Sequence, residues 1–468
     1  MIDLPPGMSS ATSSTSLEAG SWIYVLLAAT VAATAGLLFG FDIAVINGGI
    51  VFLQAALHLT SVQTEFAVSA LLFGCIFGAS VAGWLSDRFG RRRVLMLCAI
   101  LFALSAIGAA LPRTLTEFVT ARIVGGLAIG AASVLAPLYI AEVAPARDRG
   151  RLVSLNQMAI VTGILLAYLA NWLLSFTGPS SWRWMFAVAA LPSAAFFVGL
   201  FFVPESPRWL VEMGRSAEAL VVLTTINGLA IATQELSEIE QTVAEESGTL
   251  AELFQPGLRR ALWIAIALAV LQQVTGINTV LFYGSIIFKE QVHSGSNSAA
   301  IFANVIVGLV NFLATLLALN MIDKFGRRPL LLVSSGVMAL CQVGLAAAFL
   351  MSAPPAPLVL AIMLACVASF AIGLGPGVWV LIAEFFPTRI RGRAMSIATV
   401  CLWAACTLLT MTFLSLANAL TPSGAFLIYA AMCVITFLLV LRAVPETKGR
   451  SLEEIEHLWR PSGSTGRH

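Results

Sequence analysis

The chain has 468 residues, of which 59% are hydrophobic and 11% are charged. Soluble globular proteins carry about 25% charged residues, so this composition excludes an ordinary soluble protein and indicates a polytopic membrane protein. The net charge of +2 does not predict nucleic acid as a partner, because the basic residues stand at the boundaries of apolar segments.

Apolar segments long enough to cross a bilayer recur along the whole chain. A hydrocarbon core about 30 Å thick requires about 20 mostly apolar residues in one helix. This criterion predicts an all-α membrane protein with twelve transmembrane helices, at residues 22–52, 63–86, 94–112, 115–143, 152–176, 184–203, 258–289, 298–321, 329–351, 357–385, 394–418 and 424–443.

Basic residues are distributed unequally between the two sides of these spans. If the spans alternate in direction, one side receives only Arg113, Arg183 and Lys289. Arg122 falls inside a span, and the other 22 of the 26 Lys and Arg residues fall on the opposite side. The positive-inside rule places that side and both termini in the cytoplasm. We therefore expect a multi-pass protein of the plasma or inner membrane.

Asp42 stands near the far end of the first apolar run, which begins at Trp22. A carboxylate inside a bilayer is costly unless it faces protein or water, so Asp42 is a candidate functional residue. Arg122 is the other charge well inside a span. At 1.5 Å per residue, both residues lie roughly 12 Å below the outer surface. We predict that their side chains meet.

Three sequence motifs occur twice. Asp87-Arg-Phe-Gly-Arg-Arg-Arg93 recurs from Asp323 with a displacement of 236 residues. The segment ending at Glu142 recurs at Glu384 with a displacement of 242, and the segment beginning at Pro204 recurs at Pro445 with a displacement of 241. Such a constant displacement indicates a duplicated unit of six spans, with both copies running in the same direction around a central cavity.

The repeat defines the expected domains. Residues 22–203 and 258–444 form two six-helix domains. Residues 204–257 form an acidic cytoplasmic linker whose Leu and Ile spacing predicts short amphipathic helices. The Ser- and Thr-rich residues 1–21 lack the basic segment of a signal peptide and are interpreted as a disordered cytoplasmic tail. Residues 445–468 form a second cytoplasmic tail.

Repeated charges mark the cytoplasmic ends of the spans. We predict that ion pairs among them cross the interface between the two halves and hold the inner side shut. One exposed pair contributes only about 0–1 kcal/mol, so such a latch requires a network. The alternative is that the arginines only fix the topology. The candidate gating residues are Asp87, Arg88, Arg92, Glu142, Arg151, Glu205, Asp323, Arg327, Glu384, Arg393 and Glu446.

Amide side chains are concentrated in the seventh span. Gln272, Thr279 and Tyr283 share one face of an ideal helix, whereas Asn278 does not. For both amides to reach one cavity the helix must bend or unwind, and Gly276 is the natural place. Further candidates for the same cavity are Gln157, Gln273 and Asn311, together with the flat apolar rings of Trp379 and Trp403.

Carboxamides donate and accept hydrogen bonds, which suits the hydroxyl groups of a neutral polyol and provides no counter-ion for a charged substrate. The predicted ligand is therefore small, uncharged and rich in hydroxyls. Two alternatives remain open. The amides can serve as hydrogen-bonding contacts between helices, each contributing about 0.6–2 kcal/mol. The two tryptophans can face lipid or pack within the protein.

Other chemistries have no support in the sequence. The seven cysteines fall in apolar spans without a Cys-x-x-Cys pair, and the four histidines are scattered, so no metal site or disulfide is expected. There is no Gly-rich loop for nucleotide phosphates and no nucleophile–base pair. We expect no cofactor and no enzymatic activity.

Four motifs resemble the signatures of the sugar porter family of the major facilitator superfamily. They are Asp87-Arg-Phe-Gly-Arg-Arg, Pro204-Glu-Ser-Pro-Arg-Trp-Leu210, Gln272-Gln-Val-Thr-Gly-Ile-Asn278 and Pro445-Glu-Thr-Lys-Gly-Arg450. The first motif marks the superfamily, and the other three together mark the family. The resemblance covers about residues 22 to 459 and implies the major facilitator fold, alternating access, and a central hexose, pentose or inositol-type substrate.

The resemblance also implies roles for individual residues. Sugar hydroxyls would be contacted by Gln157, Gln272, Gln273, Asn278 and Asn311. Asp42 occupies the position at which proton-coupled members keep a carboxylate. Arg122 occupies the position of the arginine that pairs with it.

Three positions depart from the family pattern. Leu402 replaces an amide that commonly precedes the tryptophan, Leu374 replaces a tryptophan of some bacterial relatives, and Ala371 replaces a glutamate of the animal members. These departures leave the sugar unassigned and allow a less hydroxylated ligand.

The expected function is sugar:proton symport, in which protonation of Asp42 releases Arg122. The expected partners are a small neutral sugar, a proton and the lipid bilayer, and we expect a monomer. Two alternatives remain. In a facilitative uniporter Asp42 and Arg122 would form a fixed structural pair, and in a sugar sensor the same fold would not transport.

Overall fold

The computed structural model describes residues 20–145, 147–245, 250–255, 257–290, 296–351, 353–449, 454–455 and 459. These residues form helices and connecting turns, with no β-strand among them. The predicted all-α class is thus confirmed. Most of the predicted tails, 1–21 and 445–468, lies outside the described residues.

The first half begins at Trp22 and ends where the linker starts. Five long helices are followed by a sixth that is split in two. They are α1 Trp22–Leu57, α2 Ser61–Phe89, α3 Arg91–Ala110, α4 Leu115–Val143, α5 Arg149–Leu174, α6 Ser181–Ala187 and α7 Ala190–Gly199.

The linker contains three short helices, α8 Pro207–Glu212, α9 Ser216–Asn227 and α10 Leu229–Glu245. Trp209, Leu210 and Ala219 of the first two helices form a small apolar cluster of their own. Leu236 and Ile239 of α10 pack against that cluster at the spacing expected of an amphipathic helix.

The second half repeats the pattern with more interruptions. Its helices are α11 Leu258–Val274, α12 Ile277–Glu290, α13 Asn297–Phe325, α14 Arg327–Ala348, α15 Ala356–Ile372, α16 Leu374–Glu384 and α17 Thr388–Ala443. The seventh span is broken at Gly276, where φ is +87°, and the tenth is broken at Gly373.

Within the described residues, 11 helices are long and apolar enough to cross a membrane. The last candidate, Ile390–Ala443, has 54 residues, or about 80 Å of helix, which is more than twice the thickness of a bilayer core. Its direction changes at Thr421, which has non-helical φ and ψ of 65° and 157° and precedes Pro422. This helix therefore contains the last two of the twelve predicted spans.

Small residues allow the helices of one half to approach closely. A Cβ atom on Gly126 of α4 would lie 1.9 Å from the carbonyl oxygen of Leu71 in α2. A Cβ atom on Gly40 of α1 would lie 1.9 Å from the carbonyl oxygen of Ile160 in α5. Helices in lipid associate through such contacts because burying apolar side chains between them provides no hydrophobic driving force.

The two ends of the bundle differ in how the halves meet. At one end, which we call the closed end, the side chain of Asn47 donates to the carbonyl of Leu281 at 2.8 Å, and the hydroxyl of Tyr168 donates to the same carbonyl at 2.9 Å. The hydroxyls of Ser175 and Ser298 lie 3.0 Å apart at this end. Among the described membrane-spanning helices, all hydrogen bonds between halves lie at the closed end.

The opposite end, which we call the basic end, carries the repeated charged motifs. In the first half the guanidinium of Arg91 lies 3.0 Å from Glu142, 3.4 Å from Glu212 and 3.5 Å from Asp87. Burial raises the pKa of the Glu212 carboxyl, although Arg91 acts in the opposite direction.

The second half has a matching arrangement. Arg327 lies 3.0 Å from Glu384 and 3.3 Å from Asp323. Each half therefore gathers its charges around one motif arginine.

A glutamate from the end of each half accepts backbone hydrogen bonds at a helix start. Glu205 accepts from the backbone N–H of Arg92 at 3.0 Å. Glu446 accepts from the backbone N–H groups of Arg327 and Arg328, each at 3.1 Å. These carboxylates satisfy otherwise unpaired N–H groups and lie at the positive end of the helix dipole.

The described residues form no latch of ion pairs across the interface in this conformation, and the predicted latch stays a prediction. The pairs of Arg91 with Glu142 and of Arg327 with Glu384 each join residues of one half, and Arg91 also pairs with Glu212 of the linker. Arg92 donates to the carbonyls of Leu200 and Phe201 within its half.

The remaining arginines also form no pair across the interface. The guanidinium of Arg88 lies over the rings of Trp84 and Phe89. Arg151 and Arg393 are exposed and form no ion pair with a described residue. A gating role for the charged residues remains a prediction.

Gly90 and Gly326 make the two matching contacts possible. Their φ angles are +95° and +91°, and a Cβ atom would lie 2.4 Å from Glu205 and 2.7 Å from Glu446. We expect Gly90→Ala and Gly326→Ala to lower stability by about 1–3 kcal/mol, because this backbone region is essentially restricted to glycine. Thermal unfolding of the purified protein measures the change.

Gly83→Ala is the control for this substitution. Gly83 is in α2, and nothing lies within 4 Å of its Cβ position. We expect this variant to be at least as stable as the wild type, since alanine favours a helix. Unchanged melting temperatures for the other two variants would contradict the role assigned to the glycines.

Candidate functional site

A buried ion pair joins α1 and α4. The Nη1 atom of Arg122 lies 2.8 Å from Oδ1 of Asp42. The Nη2 atom of the same guanidinium donates to the backbone carbonyl of Asp42, also at 2.8 Å. Asp42 is 5% exposed and Arg122 is fully buried. The side chains of the two charges expected deep in the membrane therefore contact each other.

The surroundings of the pair are apolar, with few other polar groups. The ring of Phe186 lies 5.4 Å from the guanidinium carbon of Arg122. The hydroxyl of Ser105 is buried and has no hydrogen-bond partner within the described structure. Gly125 lies beside both Ser105 and the second carboxylate oxygen of Asp42, at positions where a Cβ atom would contact them. The carboxylate therefore depends mainly on Arg122 for compensation.

The break in the seventh span brings separated amides together. The amide nitrogen of Asn278 donates to Oε1 of Gln273 at 2.7 Å, although an ideal helix would point these residues in different directions. The amide nitrogen of Gln273 donates to Oε1 of Gln272 at 3.1 Å. The predicted break at Gly276 is confirmed, and it creates a connected group of three carboxamides.

Gln272 also connects the two broken spans of the second half. Its amide nitrogen donates to the carbonyls of Leu374 and Gly375 at 2.7 and 3.0 Å. These carbonyls follow the break at Gly373, where the helical hydrogen-bonding pattern is interrupted. Gln272 is 2% exposed, so much of its hydrogen-bonding capacity is used inside the protein. The side chain of Leu374 is fully buried.

Two further predicted amides keep their hydrogen-bonding capacity. Gln157 of α5 is half-buried, and Asn311 of α13 is 7% exposed. Within the described part of the chain neither side chain forms a hydrogen bond. The helices α5 and α13 pack against each other, since Gly308 contacts Leu165 and Tyr168. One amide from each half therefore lies on this helix pair.

The two predicted aromatic residues differ in their surroundings. Trp379 of α16 is half-buried. Trp403 of α17 is 4% exposed, and its ring lies 5.6 Å from that of Phe39 in α1. The indole nitrogen of Trp403 is buried without a hydrogen-bond partner among the described residues. Trp403 and Phe39 form a contact between the halves, below Asp42 on the same helix.

The structure disagrees with the prediction that Tyr283 faces the site. Its side chain is fully buried and its hydroxyl donates to the carbonyl of Thr410 at 2.7 Å. Its ring packs on Phe413 at 5.1 Å. The prediction assumed one continuous helix. The break at Gly276 turns α12 relative to α11, so Tyr283 no longer shares the face of Gln272.

Several polar residues of the closed end were not among the candidates predicted from the sequence. The side chain of Asn304 accepts from Asn47 at 3.3 Å and donates to Ser285 at 3.0 Å. Glu65 accepts two hydrogen bonds from Ser415. An amide or carboxylate inside an apolar run was the available signal, but its partner cannot be read from the order of the residues.

The described residues contain no cluster of three or more His, Cys, Asp or Glu side chains that could hold a metal ion. The seven cysteines lie in described helices and are unpaired.

A double-mutant cycle tests the ion pair. Arg122→Met leaves the buried Asp42 carboxylate without its partner, and we expect a loss of about 3–5 kcal/mol of stability. In an Asp42→Asn background the same substitution should cost less, with a coupling energy of about 0.5–3 kcal/mol. Unfolding of the purified variants measures these differences.

The matched control combines Asp42→Asn with Arg183→Met. Arg183 donates to the carbonyls of Ala110 and Pro112 and does not contact Asp42. The changes in unfolding free energy caused by Asp42→Asn and by Arg183→Met should add. Additive effects for the Asp42 and Arg122 pair as well would contradict the energetic role of the contact.

Comparison with known proteins assigns the chain to a family. The model of the family described as "Sugar (and other) transporter" matches residues 28–459. The arabinose-proton symporter of Bacillus subtilis (strain 168) is 40% identical over 443 residues, covering 93% of this chain and 95% of that protein. The D-xylose-proton symporter of Escherichia coli (strain K12) is 38% identical, with 94% and 96% covered.

A solved structure agrees in fold. The partially occluded inward-open conformation of the xylose transporter XylE from E. coli superposes with a TM-score of 0.82, at 36% identity, covering 92% of this chain and 100% of that one. These relatives are transporters and not enzymes. The chain is a multi-pass membrane protein that belongs to the sugar porter family of the major facilitator superfamily.

Proposed function

We propose that the protein imports a small neutral sugar together with a proton by alternating access. The observation that carries the proposal is the buried pair of Asp42 and Arg122, with 2.8 Å between Nη1 and Oδ1. Support also comes from relatives whose names specify sugar–proton symport. A hexose, a pentose and an inositol-type polyol remain open as substrates.

Protonation of Asp42 would remove the charge attraction but only one of the two contacts. The Nη2 atom of Arg122 is bonded to the backbone carbonyl of Asp42, and a proton on the carboxyl group does not affect that bond. The arginine would thus stay near α1 while its attraction to the carboxyl group weakens. Such a partial release allows α1 and α4 to shift without exposing an unpaired charge to lipid.

The driving force of one proton is sufficient for accumulation. A charge crossing about 100 mV provides about 2.3 kcal/mol. Since 1.36 kcal/mol corresponds to a factor of ten, this supports a sugar gradient of about 50-fold before any pH difference is added.

The sugar would be held between the halves by carboxamides. Gln157, Gln273, Asn278 and Asn311 are the proposed contacts, and Gln272 of the seventh span supports them while it donates to the carbonyls of the broken tenth span. Support comes from the free hydrogen-bonding capacity of Gln157 and Asn311. Trp379 and Trp403 are proposed to face the apolar C–H surfaces of the sugar. No full charge lies among these side chains, which favours a neutral ligand.

The orientation follows from the basic end. Placing the arginine-rich motifs in the cytoplasm puts both termini there and directs the closed end outward. The present conformation is then inward-facing. We propose domain boundaries at residues 22–203 and 258–444, a cytoplasmic linker at 204–257, a monomeric carrier, and a location in the plasma or inner membrane.

The alternatives are a proton-independent uniporter and a non-transporting sugar sensor. Uptake by purified protein in liposomes, with an imposed proton gradient and a panel of hexoses, pentoses and polyols, distinguishes all three. A symporter makes the outside medium more alkaline when sugar is added, a uniporter takes up sugar without a pH change, and a sensor takes up none. Either of the last two results would refute the proposal.

Asp42→Asn tests proton coupling. We expect this variant to exchange labelled sugar across liposomes but to lose uphill accumulation, because an amide does not bind and release a proton. Glu117→Gln is the control, since Glu117 is an exposed carboxylate that accepts a backbone hydrogen bond from Arg113. Accumulation at the wild-type level in the Asp42→Asn variant would exclude Asp42 as the coupling group.

The amide cluster generates a prediction about sugar affinity. Asn278→Ala and Asn311→Ala each remove one proposed hydrogen bond to the sugar. Each substitution should therefore weaken sugar binding about 5- to 10-fold. Titration of the purified variants with the transported sugar measures this. Tyr283→Phe should leave the affinity nearly unchanged, because its hydroxyl bonds to Thr410. Gln234→Ala in α10 is a surface control. Unaltered affinity in both Asn variants would exclude them from the site.

A further inference from the structure

A second buried carboxylate lies between the halves, far along α2 from the charged motif. Glu65 is 2% exposed. Its Oε1 atom accepts a hydrogen bond from the backbone N–H of Ser415 at 2.7 Å, and its Oε2 atom accepts from the hydroxyl of Ser415 at 2.6 Å. Ser415 belongs to α17, so both carboxylate oxygens are used in contacts between the first and the second half.

The chemistry of this contact is unusual for a buried acid. Glu65 forms no ion pair with any residue that the structure describes. Burying a carboxylate without a cation is unfavourable unless hydrogen bonds to the charged form replace its water. Hydrogen bonds to a charged group are shorter and about twice as strong as neutral ones. Ser415 therefore supplies the compensation that an ion pair would otherwise provide.

The segment of α17 that holds Ser415 is connected to other parts of the closed end. The carbonyl of Thr410 accepts the hydroxyl of Tyr283 in α12. The carbonyl of Leu281, two residues before Tyr283 in α12, accepts from Asn47 and Tyr168 of the first half. Glu65 is thus the charged member of a set of contacts that closes this end.

We propose that Glu65 is a gating residue that holds the outer end shut by binding Ser415. The inference rests on the proposed alternating access, in which the closed end must separate to admit sugar from outside. Separation would break both hydrogen bonds to Glu65 and return the carboxylate to water. The contact therefore exists in one conformation and not in the other, which is the requirement for a residue that shifts the balance between them.

This role differs from those of the other charged residues. Asp42 and Arg122 lie within the first half, and the ion pairs of Arg91 and Arg327 at the basic end lie within single halves. Opening the outer end does not require any of those pairs to separate. Glu65 and Ser415 belong to different halves and must separate.

Hydrogen–deuterium exchange of the full chain in lipid nanodiscs tests the proposal. Glu65→Ala removes both contacts, and Ser415→Ala removes only the hydroxyl contact. Glu65→Gln keeps two hydrogen bonds, because its amide oxygen accepts from the backbone N–H and its amide nitrogen donates to the serine oxygen. Glu117→Ala is the control, since Glu117 is an exposed acid whose partner Arg113 lies in the same half.

We expect Glu65→Ala to increase exchange at the closed ends of α2, α12 and α17 and to decrease exchange at the basic end. This opposite change would reflect a shift of about 10-fold or more toward outward-open molecules, which corresponds to the loss of at least one charge-assisted hydrogen bond. Ser415→Ala should produce the same pattern more weakly. Glu65→Gln should fall between Glu65→Ala and the wild type, because its two hydrogen bonds are neutral and weaker. Glu117→Ala should remain close to the wild type.

Two results would overturn the proposal. One is unchanged exchange at the closed end in Glu65→Ala. The other is increased exchange at both ends, which indicates a merely structural residue whose loss destabilises the whole protein. Because this measurement needs neither sugar nor a proton gradient, its failure is distinguishable from failure of the symport proposal, which the liposome experiments test separately.

Discussion

Polar groups that lie inside a membrane protein must be compensated by the protein itself, and this constraint organises the structure. The guanidinium of Arg122 uses two of its nitrogens on Asp42, one on the carboxylate and one on the backbone carbonyl. Glu65 obtains the same compensation from Ser415 without a cation. Water is absent from the bilayer core, so each such group fixes the position of a neighbouring helix. Polar contacts thus determine which helices stay together and where the halves meet.

The second constraint is that a broken helix leaves backbone groups without their helical partners, so other polar groups must bind them. The seventh and tenth spans are both broken in the second half, and Gln272 bridges the breaks by donating to Leu374 and Gly375. Irregular backbone at membrane depth is tolerated where protein or a cavity surrounds it. The first half has no matching break in α1 or α4, and it carries the buried ion pair instead. The two halves are alike in helix order but differ in their polar chemistry.

The duplicated motifs form two similar networks, one at the basic end of each half. Arg91 and Arg327 each pair with a glutamate of their own half, Arg91 also pairs with Glu212 of the linker, and Glu205 and Glu446 each accept from the start of the helix that follows the motif glycine. These contacts stabilise a half internally and do not join it to the other. The hydrogen bonds between the described membrane-spanning helices of the two halves lie at the closed end, and each is made by a single polar residue. A carrier built in this way can exchange the second set of contacts while preserving the first.

The sequence by itself determined the fold class, the spans, the duplication and the family, because apolar length, basic-residue placement and repeated motifs are local features of the chain. It also indicated that Asp42 and Arg122 lie at one depth and that the helix breaks at Gly276. It did not determine the partners of the basic-end charges, the turning of Tyr283 away from the amide face, or the contact of Glu65 with Ser415. These depend on how helices rotate and pack against one another, and residues 350 positions apart meet only after both halves have assembled. Tertiary structure alone therefore decided which polar residue faces which neighbour, since the helical period specifies a face only until the helix bends.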